Sequence, residues 1–404
     1  MSPRHPAPVY RLVVNGQDIT PKINNRLISL ALTDNRGLEA DQLSISLSDH
    51  DGLLSIPPRS AEVQLWLGWA DTGLTYKGSY TVDETEHSGA PDVLSIRARS
   101  ADLRAGLTRK RERSWHSITL ADVINTIATA YSLKPVIDRV LGAIQVPHID
   151  QADESDANLL TRLAQDHDAI TTVKAGHLLL MPVGTSKTAS GVNLPHVHYT
   201  RADGDSHRFL QADRDAYTGV RAHYYNPNSA ERQEALIGTD DNIKTLRHVY
   251  ADRPSALQAV RSEWQRLQRG AATLSYTLAR GRADLIPEMT YSLSGIKAPI
   301  SDLVWLCSRV MHNLNDSGYT VALELENQLA EDEDLAALVE TDYTGVMAWY
   351  RDKDGGQKKI TEGDQANPLR LTHLYASKAS AERAVKREFE QLAISRQGNL
   401  PEFT

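Results

Sequence analysis

The chain has 404 residues, of which 41% are hydrophobic and 24% charged, with a formal net charge of -8 and a single cysteine. That length exceeds one small core and implies two to four domains, and the composition excludes a disordered, collagen-like or coiled-coil chain. The lone Cys307 excludes an internal disulfide and any multi-thiolate metal or iron–sulfur centre, while the acidic balance disfavours general nucleic-acid binding.

No run of eighteen apolar residues occurs, and Met1 to Pro8 holds three prolines and no apolar stretch. Neither a membrane span nor a secretory signal is expected, and synthesis is placed in the cytoplasm. From Val9 to Ser100 the dominant period is two. Leu43, Ile45 and Leu47 alternate with serines, Val63, Leu65, Leu67 and Trp69 alternate with Glu62, Gln64, Trp66 and Gly68, and Leu94, Ile96 and Ala98 alternate with Ser95, Arg97 and Arg99. Turn signals at Asn15-Gly16, Asn35-Arg36-Gly37, Asp51-Gly52 and Pro57-Pro58 separate these half-buried strands. Residues 1–104 therefore read as an all-β barrel or sandwich.

After a basic cluster, Arg104, Arg109, Lys110, Arg111 and Arg113, the period becomes helical. Leu120, Val123, Ile124, Ile127 and Tyr131 share one face, and Pro135 bars continuation. Asp153, Glu154, Ser155 and Asp156 suit a helix N-terminus before the stripe Leu159, Leu160 and Leu163, and a strand is expected over His177 to Met181. Residues 105–205 read as a small α+β domain. From 206 to 335 the pattern returns to β, with strands expected at Tyr217–Tyr225, Thr273–Ala279, Leu303–Met311 and Val321–Leu325. One helix interrupts them, with Pro254 in its first turn, Leu257, Val260, Trp264 and Leu267 as its stripe, and Gly270 as its C-cap. The acidic stretch Glu331 to Asp334 reads as a linker or solvated edge into an extension, residues 336–404.

That extension repeats an earlier segment. Tyr217-Thr218-Gly219-Val220 recurs as Tyr343-Thr344-Gly345-Val346. Leu246-Arg247-His248-Val249-Tyr250-Ala251 recurs as Leu371-Thr372-His373-Leu374-Tyr375-Ala376. Ser255, Ala256, Ala259, Val260, Glu263 and Leu267 match Ser380, Ala381, Ala384, Val385, Glu388 and Leu392, with Phe389 in the place of Trp264. A strand, a polar hairpin and an amphipathic helix are duplicated, whereas the strands after the first helix have no second copy.

A search for chemistry yields little. There is no Gly-x-Gly pair, no phosphate-binding glycine-lysine loop, no Gly-x-Ser-x-Gly elbow and no His-Glu-x-x-His helix. His196, His198 and His207 crowd one loop; two histidines one residue apart can share a metal, but no third ligand is implied, which favours a solvated loop. Asp49-His50-Asp51-Gly52 and Asp352-Lys353-Asp354-Gly355 read as tight turns rather than calcium loops, because neither has the closing glutamate. Asp83, Glu84 and Glu86 are background among 52 acidic residues, Cys307 lies in an apolar run, and the basic cluster reads as a solvated interdomain segment before an acidic partner. No catalytic, cofactor-binding or metal-binding residue is assigned, and the chain is expected not to be an enzyme.

Arg26–Leu30, Leu32–Leu43, Thr81–Glu84, Gly89–Val93, Ile96–Asp102 and Pro147–Gln151 resemble, in order, the late control gene D family of temperate contractile-tailed phages. Glu154–Asp156 with Leu160–Ala164, Tyr217–Val220, Leu267–Gly270 and Gly281–Asp284 extend the resemblance, which covers about residues 8–330 and leaves 343–404 outside. The resemblance implies a mainly β protein with α+β insertions, in which residues 1–104 and 206–335 are tail-tube-like β-barrel domains. It implies a baseplate hub of a contractile phage tail or tail-like bacteriocin, related to the N-terminal hub of type VI secretion spike proteins. A homotrimer would join the sixfold tail tube protein to the threefold central spike protein, beside other baseplate and tape-measure proteins. No cofactor, specific nucleic acid or membrane span enters that picture. The alternatives are a hub-associated cell-wall hydrolase, which needs a carboxylate or zinc constellation, and a secretion spike component, which needs a long β-helix.

Overall fold

In strand Gln42–Ser48 the side chains of Leu43, Ile45 and Leu47 are buried while Gln42 and Ser44 face solvent, so the alternation of the sequence becomes the two faces of a sheet. Glu62–Trp69 and Val93–Ser100 obey the same rule. The computed structural model describes residues 6–100, 106–174, 176–211, 217–226, 231–239, 241–329, 345–351, 357–363, 368–375 and 377–397. The chain forms two compact units, residues 1–330 and 331–404.

The first unit is built on one thirteen-stranded sheet. Its N-terminal half orders the strands Leu27–Asn35, Gln42–Ser48, Val93–Ser100, Gly73–Ser88, Glu62–Trp69, Pro8–Val14 and Gln17–Asp18. Its other half runs Trp305–Asn315, Gly318–Asn327, Ala272–Leu278 and Gly204–Gln211, with Thr290–Ser294 and His196–Thr200 branching from Trp305–Asn315. The halves meet where Arg309–Asn315 pairs antiparallel with Ser29–Asn35. The expected β regions are therefore present, but no closed barrel forms among the described residues. The edge of Leu27–Asn35 that closure of the first region would use is taken by the second region. One apolar core serves both halves, and Tyr80, Trp305, Tyr276, Tyr291 and Tyr319 are its largest fully buried side chains.

Residues 107–182 carry a second core, from Leu107 to Leu180, under the strand pair Lys110–Thr119 and Gln145–Ser155 and a three-stranded sheet. Helix Leu120–Ala130 starts in a capping box between Thr119 and Asp122 and buries Leu120, Val123, Ile124 and Ile127, as its spacing predicts. Helix Asp156–Asp166 is capped by Ser155 and buries Leu159, Leu160 and Leu163. The expected strand at His177 is found as His177–Pro182. Strands His196–Thr200 and Gly204–Gln211 belong to the large sheet.

Residues 219–250 form a small sheet in which Gly219–Asn226 pairs antiparallel with Glu231–Gly238 and parallel with Ile243–Tyr250. Helix Arg253–Gly270 covers it, entered through Asp252, whose carboxylate accepts from the Ser255 amide at 2.8 Å. Its buried face differs from the expected stripe: Ala256, Ala259, Val260, Ser262, Glu263 and Arg269 are buried, whereas Leu257, Trp264 and Leu267 are only half-buried. Small side chains let the helix approach the sheet closely, and the buried charges are held by ion pairs, Glu263 with Lys244 and Arg269 with Asp168.

The second unit reproduces that module. Gly345–Arg351 pairs antiparallel with Gln357–Gly363 and parallel with Pro368–Tyr375. Gly219 opposes Gly238 as Gly345 opposes Gly363, and the irregularity between Arg221 and His223 recurs between Met347 and Trp349. Val220, Ala222, Tyr224, Ala256 and Val260 are buried in one copy, Val346, Ala348, Tyr350, Ala381 and Val385 in the other. Helix Lys378–Gln397 begins with Ser377 in the place of Asp252, its hydroxyl accepting from the Ser380 amide at 3.3 Å. The polar hairpin and the segment before the helix form strands in both copies. Tyr343, Thr344, Glu331 to Asp334 and Asp352 to Gly355 lie outside the described residues.

Candidate functional site

Most of the described residues singled out in the sequence are engaged by contacts within the fold. Two arginines of the basic cluster turn inward: Arg111 Nε is 3.2 Å and Arg113 Nη1 3.5 Å from Asp156, which is completely buried at the start of its helix. The Tyr131 hydroxyl donates to Asp156 at 2.6 Å and the Gln151 amide donates at 2.8 Å. Lys110 pairs with exposed Asp153 at 2.7 Å, and Arg104 lies outside the described residues.

His196 and His198 stand on a strand rather than in a loop and face the parallel strand Thr290–Ser294. His196 lies 3.0 Å from the hydroxyls of Thr290 and Ser292, and His198 lies 2.9 Å from Ser292 and 3.0 Å from Ser294. His207 is on another strand, opposite Tyr276. The three are not brought together, and among the described residues no three His, Cys, Asp or Glu side chains converge as a metal-binding group. Cys307 is fully buried, burial pushes its thiol up to about 12, and its Sγ donates to the Arg309 carbonyl. Asp83 and Glu84 make cross-strand ion pairs with Arg99 and Arg97, both at 3.0 Å. In the turn at Asp49–Gly52, Asp49 accepts from the Leu54 amide and Asp51 from Arg26.

Sequence reasoning missed the polar groups inside the first unit. Lys77 Nζ lies 2.9 Å from Asp34 and donates to the carbonyl of Ala283 at 3.2 Å, so two strands of the first half and the loop before Thr290–Ser294 meet on one ammonium. His312, fully buried, has Nδ1 2.8 Å from the Tyr319 hydroxyl and Nε2 3.6 Å from Asp34. Burial, reinforced by the Lys77 charge, pushes the imidazole down to about 4. Burial also raises the Asp34 carboxyl, but His312 and Lys77 outweigh it and hold it well below the usual range. A signal was present: Asp34 and His312 continue the buried parity of Leu30 and Leu32, and of Val310 and Leu314.

A second network fastens the parts to one another. Arg36 lies 2.7 Å from Glu288 and 2.6 Å from Glu326, and donates to the Cys307 carbonyl at 3.2 Å. Arg269 then joins Glu326, at 3.5 Å, to Asp168, at 2.7 Å. Both sheet halves, the helix Arg253–Gly270 and the α+β lobe are thereby tied by one chain of charges. Lys174 pairs with Asp41, and the Ser262 hydroxyl donates to the Asp166 carbonyl at 2.8 Å. Buried charge of this kind is satisfied only in one arrangement, so it fixes geometry more than it adds stability.

The outer surface carries apolar groups that the unit does not cover. Leu53 and Ile56, in the loop between Gln42–Ser48 and Glu62–Trp69, are 76% and 57% exposed. Tyr76 is half exposed, with its ring 4.9 Å from that of Trp66, over which Arg11 lies. Such groups are candidates for contact with other proteins.

Residues 36–318 match the family described as phage tail baseplate hub (GPD). The chain is 45% identical over 368 residues to the probable baseplate hub protein of Escherichia phage 186, covering 81% of this chain and 95% of that protein. It is 42% identical over 366 residues to the probable baseplate hub protein of Escherichia phage P2, with the same coverage. Its fold is similar, with a TM-score of 0.60 and 14% identity, to the crystal structure of the 43 kDa tail protein of prophage MuSo2 from Shewanella oneidensis, covering 79% of this chain and 98% of that one. A mainly β chain fastened by buried charges, with most of its described singled-out side chains engaged within the fold, fits that company, and the chain belongs to the phage tail baseplate hub family: it is a structural baseplate hub protein of a phage tail.

Proposed function

We propose that the chain works as a homotrimeric, non-catalytic adaptor in the virion tail, joining the sixfold tail tube to the threefold central spike and touching other baseplate and tape-measure proteins. The observation that carries this reading is the division of one sheet into halves of seven and six strands. Three chains would present six such halves, so a threefold ring imitates sixfold symmetry by surface complementarity alone. In this reading residues 1–104 and 206–335 face the tube, 105–205 form the lobe between them, and 336–404 are an added module. The charge chain through Arg36 and Arg269 supports it, because a hub under load needs its parts held in one geometry. A particle map or native mass spectrometry of the assembled hub is expected to show three copies in one ring. Six copies would overturn the proposal, and a cell-wall zymogram with a clear lysis band would overturn its non-catalytic part.

A further inference from the structure

The antiparallel strands Lys110–Thr119 and Gln145–Ser155 set His116 directly opposite His148 on the solvent face of their ribbon. The two Nδ1 atoms are 3.0 Å apart, with ring centroids at 4.6 Å and an interplanar angle of 28°. Nitrogens so much closer than the centroids point across the gap at each other. On the far side of the His148 ring, Nε2 lies 3.0 Å from Asp150, whose other oxygen accepts from the Ser114 hydroxyl at 2.7 Å. A carboxylate only accepts, so it holds the hydrogen of neutral His148 on Nε2 and leaves the Nδ1 lone pair facing His116. A carboxylate behind an imidazole in this way is the usual support of a metal-binding histidine.

We propose that His116 and His148 form a two-nitrogen site for a late first-row divalent cation, with Asp150 as the positioning residue. Imidazole suits copper, nickel and zinc alike, and the spacing discriminates among them. With bonds of about 2.1 Å, nitrogens 3.0 Å apart subtend roughly 90° at the metal, the cis angle of tetragonal Cu2+ or Ni2+ rather than tetrahedral Zn2+. Among the described residues no third ligand joins the pair, so the other positions go to water and the metal is exchangeable. No spacing within the sequence indicates this site, because its ligands meet only through strand register.

The test uses the full chain at neutral pH, titrated with Cu2+ and with Ni2+ by calorimetry and with Cu2+ by electron paramagnetic resonance. With 14 histidines in the chain, the reference is the double variant His116→Ala/His148→Ala. Wild type is expected to bind one more equivalent of either metal than that variant, and its copper spectrum to show two imidazole nitrogens. Asp150→Asn is expected to weaken binding about 10- to 100-fold. Equal stoichiometry and affinity in wild type and double variant would overturn the site. A copper spectrum of wild type with no coupled pair of nitrogens would do the same without relying on the variant. Unchanged affinity in Asp150→Asn would remove its positioning role.

Discussion

Arg36 Nε lies 2.7 Å from Glu288 Oε1, although one residue follows the third strand of the chain and the other precedes Thr290–Ser294 in the far half of the sheet. Glu288 is almost wholly buried, and burial raises its carboxyl against the pull of Arg36. Arg36→Met is therefore expected to cost about 3–5 kcal/mol, the usual penalty for leaving a buried charge without its partner. Adding Glu288→Gln to it should recover part of that loss in urea unfolding. Equal losses in the single and double variants would show that the pair is not coupled.

His312 makes stability fall on acidification. The unfolded imidazole takes a proton near pH 6.5, whereas the folded one resists it down to about 4. Between those values the unfolded state binds more protons, so stability present at neutral pH declines by up to about 3 kcal/mol as pH drops, then levels off with respect to this group. Asp34, held low, adds a further loss below the ordinary carboxylate range. Asp41, Glu288 and Asp166, raised by burial, act in the opposite sense. They do so in wild type and variant alike. His312→Gln should flatten the dependence between pH 6.5 and 4 in melting experiments, and an unchanged slope would refute the assignment.

Asp156 organises the α+β lobe through Tyr131, Gln151, Arg111 and Arg113. Asp156→Ala should destabilise the lobe by about 1–3 kcal/mol, because the Tyr131 hydroxyl and the Gln151 amide lose an acceptor and two partly exposed guanidinium groups lose the charge they pair with. Trp115 belongs to the same core, so its fluorescence reports the melting. A loss under about 1 kcal/mol would return the arginine cluster to the status of a solvated patch.

The second unit should respond separately from the first. Phe389 packs half-buried against Val346, Ala348, Tyr350, Ala381 and Val385, so Phe389→Ala is expected to cost this small core about 2 kcal/mol. Hydrogen exchange should quicken in Gly345–Arg351 and Gln357–Gly363 and stay unchanged in the large sheet. Truncation after Asp334 should leave the melting temperature of the first unit in place, because its sheet and both cores end by Asn327. A fall of several degrees would contradict that independence.

Period and capping made much of the fold legible. Leu43, Ile45 and Leu47, the Ser155 cap and the copied module can be read from residue spacing because each is decided within a few positions. What spacing could not reveal is who meets whom across the chain. The pairing of Leu27–Asn35 with Trp305–Asn315, and the meetings of Arg36 with Glu288 and of His116 with His148, depend on register between distant strands. The helix Arg253–Gly270 was misread in its buried face for the same reason: Glu263 and Arg269 are tolerable inside only because Lys244 and Asp168 arrive from elsewhere. His196 and His198, expected in a solvated loop, stand instead on a strand beside Thr290, Ser292 and Ser294, a pairing that again depends on register.

The partner of Leu27–Asn35 on one side is Trp305–Asn315, which leaves the ribosome only after most of the first unit has been made. At about 5–20 residues per second, the emerging chain waits roughly a quarter of a minute to a minute with that strand unmatched. During the wait Leu30 and Leu32 sit beside a row of free amide and carbonyl groups, a template on which nascent chains from neighbouring ribosomes can stack. Synthesis is thus the hazardous moment for this chain, and a chain that stops short of Trp305 keeps the sticky edge permanently.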